Sequence, residues 1–197
     1  MDSDTDYSIS KTTNKIMISL KTTSCIFLQS IYLLLGSKGA IINSLNTNIY
    51  FYGDTFQPLR NITMTYDLTI HMCSNLTAQI LYLEEHGNTF IGLDINDIWV
   101  FGDTFVLINP RNVVAFNKNT SQIVFVAPFV KPAFLSDEVD IVKLLPSSVS
   151  YLVGRTAIAK LCIGILGLDK TMDTIMNTRL YWFLKRCLLN PVDFILI

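Results

Sequence analysis

Asn48-Ile49-Tyr50-Phe51-Tyr52-Gly53-Asp54-Thr55-Phe56 recurs further along the chain as Asp97-Ile98-Trp99-Val100-Phe101-Gly102-Asp103-Thr104-Phe105. Each copy is a β-branched and aromatic run, a Gly-Asp pair, and a second apolar run. That order reads as two strands joined by a tight turn, because glycine tolerates the left-handed backbone such a turn needs. The sequence predicts two β-hairpins, with Asp54 and Asp103 in their turns. The second copy follows Gly92-Leu93-Asp94-Ile95-Asn96. One acid, Asp94, therefore leads into a strand–turn–strand unit, and another, Asp97, opens its first strand.

The chain has 197 residues, enough for one sizeable domain or a domain with a small lobe. Its net charge is −1 and 16% of its residues are charged, which leaves no basic stripe to neutralise phosphates. No nucleic-acid partner is expected on that ground. Hydrophobic residues make up 50% of the chain, yet no run approaches the roughly 20 apolar residues a spanning helix needs. Gln29 and Gly36 break one candidate, and Lys160 interrupts another. The start, Met1-Asp2-Ser3-Asp4-Thr5-Asp6, has no apolar signal segment. The expectation is a cytoplasmic domain with no transmembrane segment and a face covered by a protein partner or a second copy. Cys25, Cys73, Cys162 and Cys187 match no metal-binding spacing and read as buried free thiols.

Along the chain, residues 1–15 read as a polar tail, and 16–65 as a small subdomain holding a helix that ends near Gly36 and the first hairpin. Asp67–Glu85 is the clearest helix: Leu68, Met72, Leu76, Ile80 and Leu83 line one face, Asp67 is a cap or first-turn acid, and Gly87 is a stop. Asn109–Glu138 reads as irregular around Pro110, Pro128 and Pro132, with a strand-like Gln122–Val126. Thr156–Leu166 is apolar on most sides and predicts a buried helix. Thr178–Leu189 is amphipathic, with at least one ring of Tyr181-Trp182-Phe183 facing outward. The fold class that follows is α+β.

From Tyr66 to Ile197 this order resembles the C-terminal lobe of the protein kinase family, as in the small divergent kinase-like proteins of large DNA viruses. The helix Asp67–Glu85 corresponds to the long helix before the catalytic loop, and Asp94-Ile95 to the Asp-Leu of the His-Arg-Asp-Leu motif. Asn109-Pro110-Arg111 falls at the Asp-Phe-Gly position, Ser136-Asp137-Glu138 at Ala-Pro-Glu, and Arg179–Leu189 with Asn190-Pro191 at the last helix. The resemblance implies a kinase-like lobe over 66–197 and a reduced, hairpin-containing N-terminal part. In an active member Asp94 would be the catalytic carboxylate, and Asp97 and Asn109 would hold the metal of Mg·ATP.

Much of what phosphoryl transfer needs is altered. The metal-binding Asp is replaced by Asn109, a neutral and weaker Mg²⁺ ligand. Gly92 and Leu93 stand where the motif has His and Arg, and Asn96 where it has Lys. No glycine-rich loop follows a strand, and Lys15, Lys21 and Lys38 are the only early lysines. Residues 1–65 hold no Glu, so the family's Lys–Glu ion pair cannot be built from them. Glu138 meets Phe194 where the resemblance requires an Arg. Asp94 also has a plain reading, as a loop aspartate accepting backbone hydrogen bonds, and Asp97 as a cap.

The expected function is a catalytically inactive, kinase-like viral protein acting by protein–protein contacts, without cofactor, in the host cytoplasm or the virion. The apolar segment Phe125–Phe134 is either a docking surface or a packed loop. The alternatives are a divergent Ser/Thr kinase that uses Asp94 and Asp97 with Mg·ATP, and a structural component of the virion.

Overall fold

The computed structural model describes residues 6–21, 25–43, 47–124, 134–135, 150–168 and 171–189. Among them the protein is a mixed α+β structure in which every strand pairing is antiparallel.

The chain opens with a hairpin of β1 (Tyr7–Thr12) and β2 (Lys15–Leu20), paired from Tyr7↔Leu20 to Thr12↔Lys15. The expected polar tail is thus corrected over Tyr7–Thr12. Its polar residues are compatible with an edge strand, whose side chains stay in water while its backbone pairs. Helix α1 (Cys25–Leu35) follows, then the short strand β3 (Ile41–Ile42) and β4 (Asn48–Tyr52). The sheet runs β1-β2-β4-β3. Strand alternation sends Ile16, Ile18, Leu20, Ile49 and Phe51 inward, where Phe27, Leu28, Ile31 and Leu35 of α1 are also buried.

The first repeat copy is not a hairpin. Its second run, β5 (Phe56–Pro58), leaves β4 and pairs with β8 (Ile98–Phe101), the first strand of the second copy. Gly53 does not adopt the left-handed conformation, so the backbone crosses from one sheet to the other. The second copy is the expected hairpin: β8 pairs with β9 (Thr104–Leu107), and Gly102 turns at φ 67°. The copies meet through Phe51 and Phe101, whose rings pack edge to face at 5.1 Å.

Helix α2 (Tyr66–Glu85) is capped by Thr65, whose side chain accepts from the Leu68 N–H at 3.3 Å, with Asp67 in the first turn. Met72, Leu76, Ile80 and Leu83 are fully buried. At about 1.5–3 kcal/mol each, an upper bound, they make α2 the centre of the core. The helix also closes a sheet edge. Gln79 accepts from the Leu107 N–H at 3.0 Å and donates to its carbonyl at 2.9 Å, and Asn75 accepts from the Phe105 N–H at 2.9 Å. Side-chain amides stand in for the missing neighbour of β9.

Beyond Gly87 (φ 76°) come β6 (Asn88–Phe90) and β7 (Gly92–Leu93). After β9 the chain forms β10 (Val113–Asn117) and β11 (Gln122–Ile123), which pair with each other, and β10 also pairs with β6. The span expected to be irregular therefore begins with a hairpin; within the strand-like Gln122–Val126, Gln122–Ile123 form a strand and 125–126 lie outside the described residues. β12 (Phe134–Leu135) pairs with β7. The rest of the Phe125–Phe134 segment, Ser136-Asp137-Glu138 and Asn190-Pro191 lie outside the described residues.

Helix α3 (Val153–Leu166) enters the core against α2, and α4 (Arg179–Leu189) packs on α3. Gly154 lets α3 approach closely: a Cβ there would lie 2.5 Å from Ile80 Cδ1 and 2.6 Å from the Phe90 carbonyl. Directly after Gly154, the buried Arg155 guanidinium donates through Nε to Glu84 Oε1 at 3.0 Å and through Nη2 to Oε2. This fork satisfies a charge on each helix in the interior. Burial pushes the Glu84 carboxyl above its ordinary value, against the Arg155 hydrogen bonds and charge.

Candidate functional site

β7 delivers Asp94 to a 3-10 turn, Ile95–Asp97, and caps it: Asp94 Oδ1 accepts from the Asn96 backbone N–H and from its side-chain amide, both at 2.9 Å. The plain reading of Asp94 as a backbone-capping aspartate is what the geometry displays. The Asp97 N–H closes the turn on the Asp94 carbonyl at 3.0 Å.

The hairpin then brings a distant residue back. The Ile108 N–H donates to the Asp97 carbonyl at 3.0 Å, which sets Asn109 beside the start of β8. Asn109, itself buried, donates its side-chain amide to Asp97 Oδ1 at 2.7 Å and accepts from the Arg111 N–H at 3.1 Å. Asp94, Asp97 and Asn109 are thus gathered at one turn. Burial raises the Asp97 carboxyl above its ordinary value; the Asn109 amide opposes this, the Asp94 charge adds to it, Arg111 opposes it and Asp6 adds to it.

The strand β1 fastens over this turn. The Tyr7 hydroxyl donates to the Asn96 carbonyl at 3.3 Å and accepts from Trp99 Nε1 at 3.2 Å. Asp6 pairs with Arg111 at 3.5 Å, and Arg60 donates to the Asn96 side chain at 3.1 Å. Burial raises the Tyr7 hydroxyl above its ordinary value. Sequence reasoning missed Tyr7, Asp6 and Arg60, since nothing local to residues 6–7 or 60 points to a turn some ninety or thirty-six residues away.

These bonds bear on what the turn offers a cation. A Mg²⁺ ligand must offer an oxygen lone pair. Asn109 turns its N–H₂, which cannot ligate a cation, toward Asp97, and its carbonyl oxygen accepts from the Arg111 N–H with one of its two lone pairs. Reversing the amide would lose both bonds and set two oxygens face to face. Among the described residues no group of three or more His, Cys, Asp or Glu side chains is placed to hold a metal ion.

The sheet side offers other chemistry. Lys15 opens β2 with its ammonium 4.6 Å from the centre of the Tyr50 ring, and Lys38 pairs with Asp103 at 2.9 Å. Helix α1 carries no acid, and Gln29 on it accepts from the Tyr82 hydroxyl at 2.9 Å. A cleft of about 460 Å³ lies among Lys38, Phe51, Tyr52, Asp54, Thr55 and Gly102, and includes none of Asp94, Asp97 and Asn109.

A scan against protein-family models gives no match, and a search of curated proteins gives no significant one. No helix among the described residues is long and apolar enough to cross a membrane.

Proposed function

We propose that this chain is a kinase-like protein that does not transfer phosphate and acts through protein–protein contacts. The order of elements supports the kinase-like part: a small antiparallel sheet with one helix, a crossover, a long helix, an acid-bearing turn, a hairpin, and Asn109 directly after it. One observation carries the inactive part. The Asn109 amide is spent on Asp97 and Arg111, so the two side chains that would share a metal are bonded to each other instead. Tyr7 and Asp6, tied to the same turn, support it further. The viral origin and the cytoplasmic or virion location come with this reading, as its resemblance implies.

A divergent active kinase is the second reading. Its support is that Asp94, Asp97 and Asn109 meet at one turn although fifteen positions of sequence separate the first and last. Incubation of the purified chain with labelled ATP, Mg²⁺ or Mn²⁺, and a general protein substrate separates the two. The proposal expects no transfer above that of an Asp94→Asn variant; transfer lost in that variant establishes the second reading instead.

A further inference from the structure

Helix α4 buries Leu180, Phe183, Leu184 and Cys187 on one face. On the opposite face Trp182, Lys185 and Leu189 follow one another at positions i, i+3 and i+7, one line along the helix. Trp182 is 46% exposed and Leu189 73%, and Met176 on the preceding turn is 50% exposed. Among the described residues, four of the exposed large apolar side chains, Met176, Trp182, Leu188 and Leu189, lie on α4 or the turn before it.

On α4 itself the charge has one sign, and one acid, Asp173, lies exposed on the turn before Met176. Arg179, Lys185 and Arg186 all lie exposed on α4, the helix contains no Asp or Glu, and none of the ion pairs among the described residues involves it. The Lys185 ammonium lies 5.6 Å from the Tyr181 ring centre and 5.4 Å from that of Trp182, so it is held by the aromatics. Arg179 and Arg186, two turns apart, lie along one side of the apolar line.

Tyr, Trp, Met and Arg are the residue types enriched at the centres of protein interfaces, and Trp, Tyr and Arg dominate their binding energy. We infer that the exposed face of α4 is a docking surface for an acidic protein segment, one that seats an apolar side chain against Trp182 and sets carboxylates against Arg179 and Arg186. The inference rests on the protein–protein reading and names the partner it requires. An eleven-residue helix presents a face about 16 Å long, the size of a short peptide element. A membrane surface fits less well, since stable anchoring there takes more than one weak signal.

The test is selection of a random dodecapeptide display library on the immobilised full-length chain. A selected peptide is then titrated in solution against wild type, Arg179→Glu/Arg186→Glu and Trp182→Phe. The expected peptides carry two or more acidic residues around an apolar one. Binding shifts Trp fluorescence to the blue in wild type and not in Trp182→Phe, weakens at least tenfold in the double variant, and falls with added salt. All three substituted side chains are exposed or half-exposed, and circular dichroism confirms the fold. Peptides without acidic bias, or bound equally by the double variant, overturn the docking site while leaving the interaction reading standing. So does an empty selection accompanied by sedimentation with phosphatidylserine vesicles that the double variant loses, which assigns the face to lipid. Phosphate transfer from ATP overturns the interaction reading itself, whatever the peptides show.

Discussion

The Asn109 side-chain amide donates to the Asp97 carboxylate across 2.7 Å, joining the end of β9 to the start of β8. In the kinase resemblance these two positions coordinate a cation together. Here one neutral donor satisfies one buried acceptor, and the joint needs no ion to hold it closed.

The Asp97 carboxyl is held above its ordinary value chiefly by burial. A folded-state value above the unfolded one means that the folded protein binds the proton more tightly. The stabilising contribution is complete below the ordinary carboxylate range and is lost as pH rises through the elevated value. Asp97→Asn keeps an acceptor for Asn109 and removes the buried charge. The expected variant is no less stable than wild type at pH 7 and gains less on acidification to pH 5, measured by urea unfolding at both. A large loss at pH 7 would show that the carboxylate charge itself is required.

Arg155 and Glu84 form a buried fork between α3 and α2. Arg155→Met strands the Glu84 carboxylate in the interior and should cost about 3–5 kcal/mol. Glu84→Leu/Arg155→Met removes both charges and should recover most of that loss. A double-mutant cycle by denaturant unfolding reads the coupling, and additive losses would show that the pair is not a unit.

Gly154 is a position where only hydrogen fits. The Cβ of Gly154→Ala would press on Ile80, the Phe90 carbonyl and Thr89 Oγ1 at 2.5–2.8 Å. Because backbone is among these neighbours, the strain should cost about 3 kcal/mol, the upper part of the range for overpacking. Gly36→Ala, where the added methyl meets nothing within 4 Å, should change stability by less than about 0.5 kcal/mol. Equal midpoints for the two variants would contradict this packing.

Gln79 closes the free edge of β9 and also donates to Ser30 Oγ at 3.2 Å. Gln79→Leu leaves the Leu107 N–H and carbonyl buried without partners, at about 3 kcal/mol for the pair. Amide hydrogen exchange at Leu107 should accelerate in the variant. An unchanged rate would place the edge's protection elsewhere.

How much of this was legible in the sequence follows from how far each interaction reaches. Helix α2 was readable because its core face is written at three- and four-residue steps, and its end at Gly87. The hairpin at Gly102 was readable for the same local reason. The first copy carries nearly the same letters, yet β4 finds its partners in β2 and β3 while β5 finds β8. Pairing depends on what the remainder of the chain offers, and a repeated string does not record it. The strand at Tyr7–Thr12 was hidden because an edge strand with polar side chains looks like a tail. At the site, the sequence identified Asp94, Asp97 and Asn109 but not Tyr7, Asp6 or Arg60, which reach the turn only through tertiary packing. The Arg155–Glu84 fork was not legible, because its two residues lie 71 positions apart on different helices.

The thermal midpoint of the purified chain, with and without millimolar Mg·ATP and beside Asp94→Asn/Asp97→Asn, tests the inactive-site account most directly. A ligand at 100 times its Kd adds about 2.7 kcal/mol, a shift of several degrees for a protein of this size. The account predicts no shift in either protein. A shift of several degrees in wild type that the double variant loses would contradict it and place the nucleotide at the turn that Asn109 and Tyr7 hold closed.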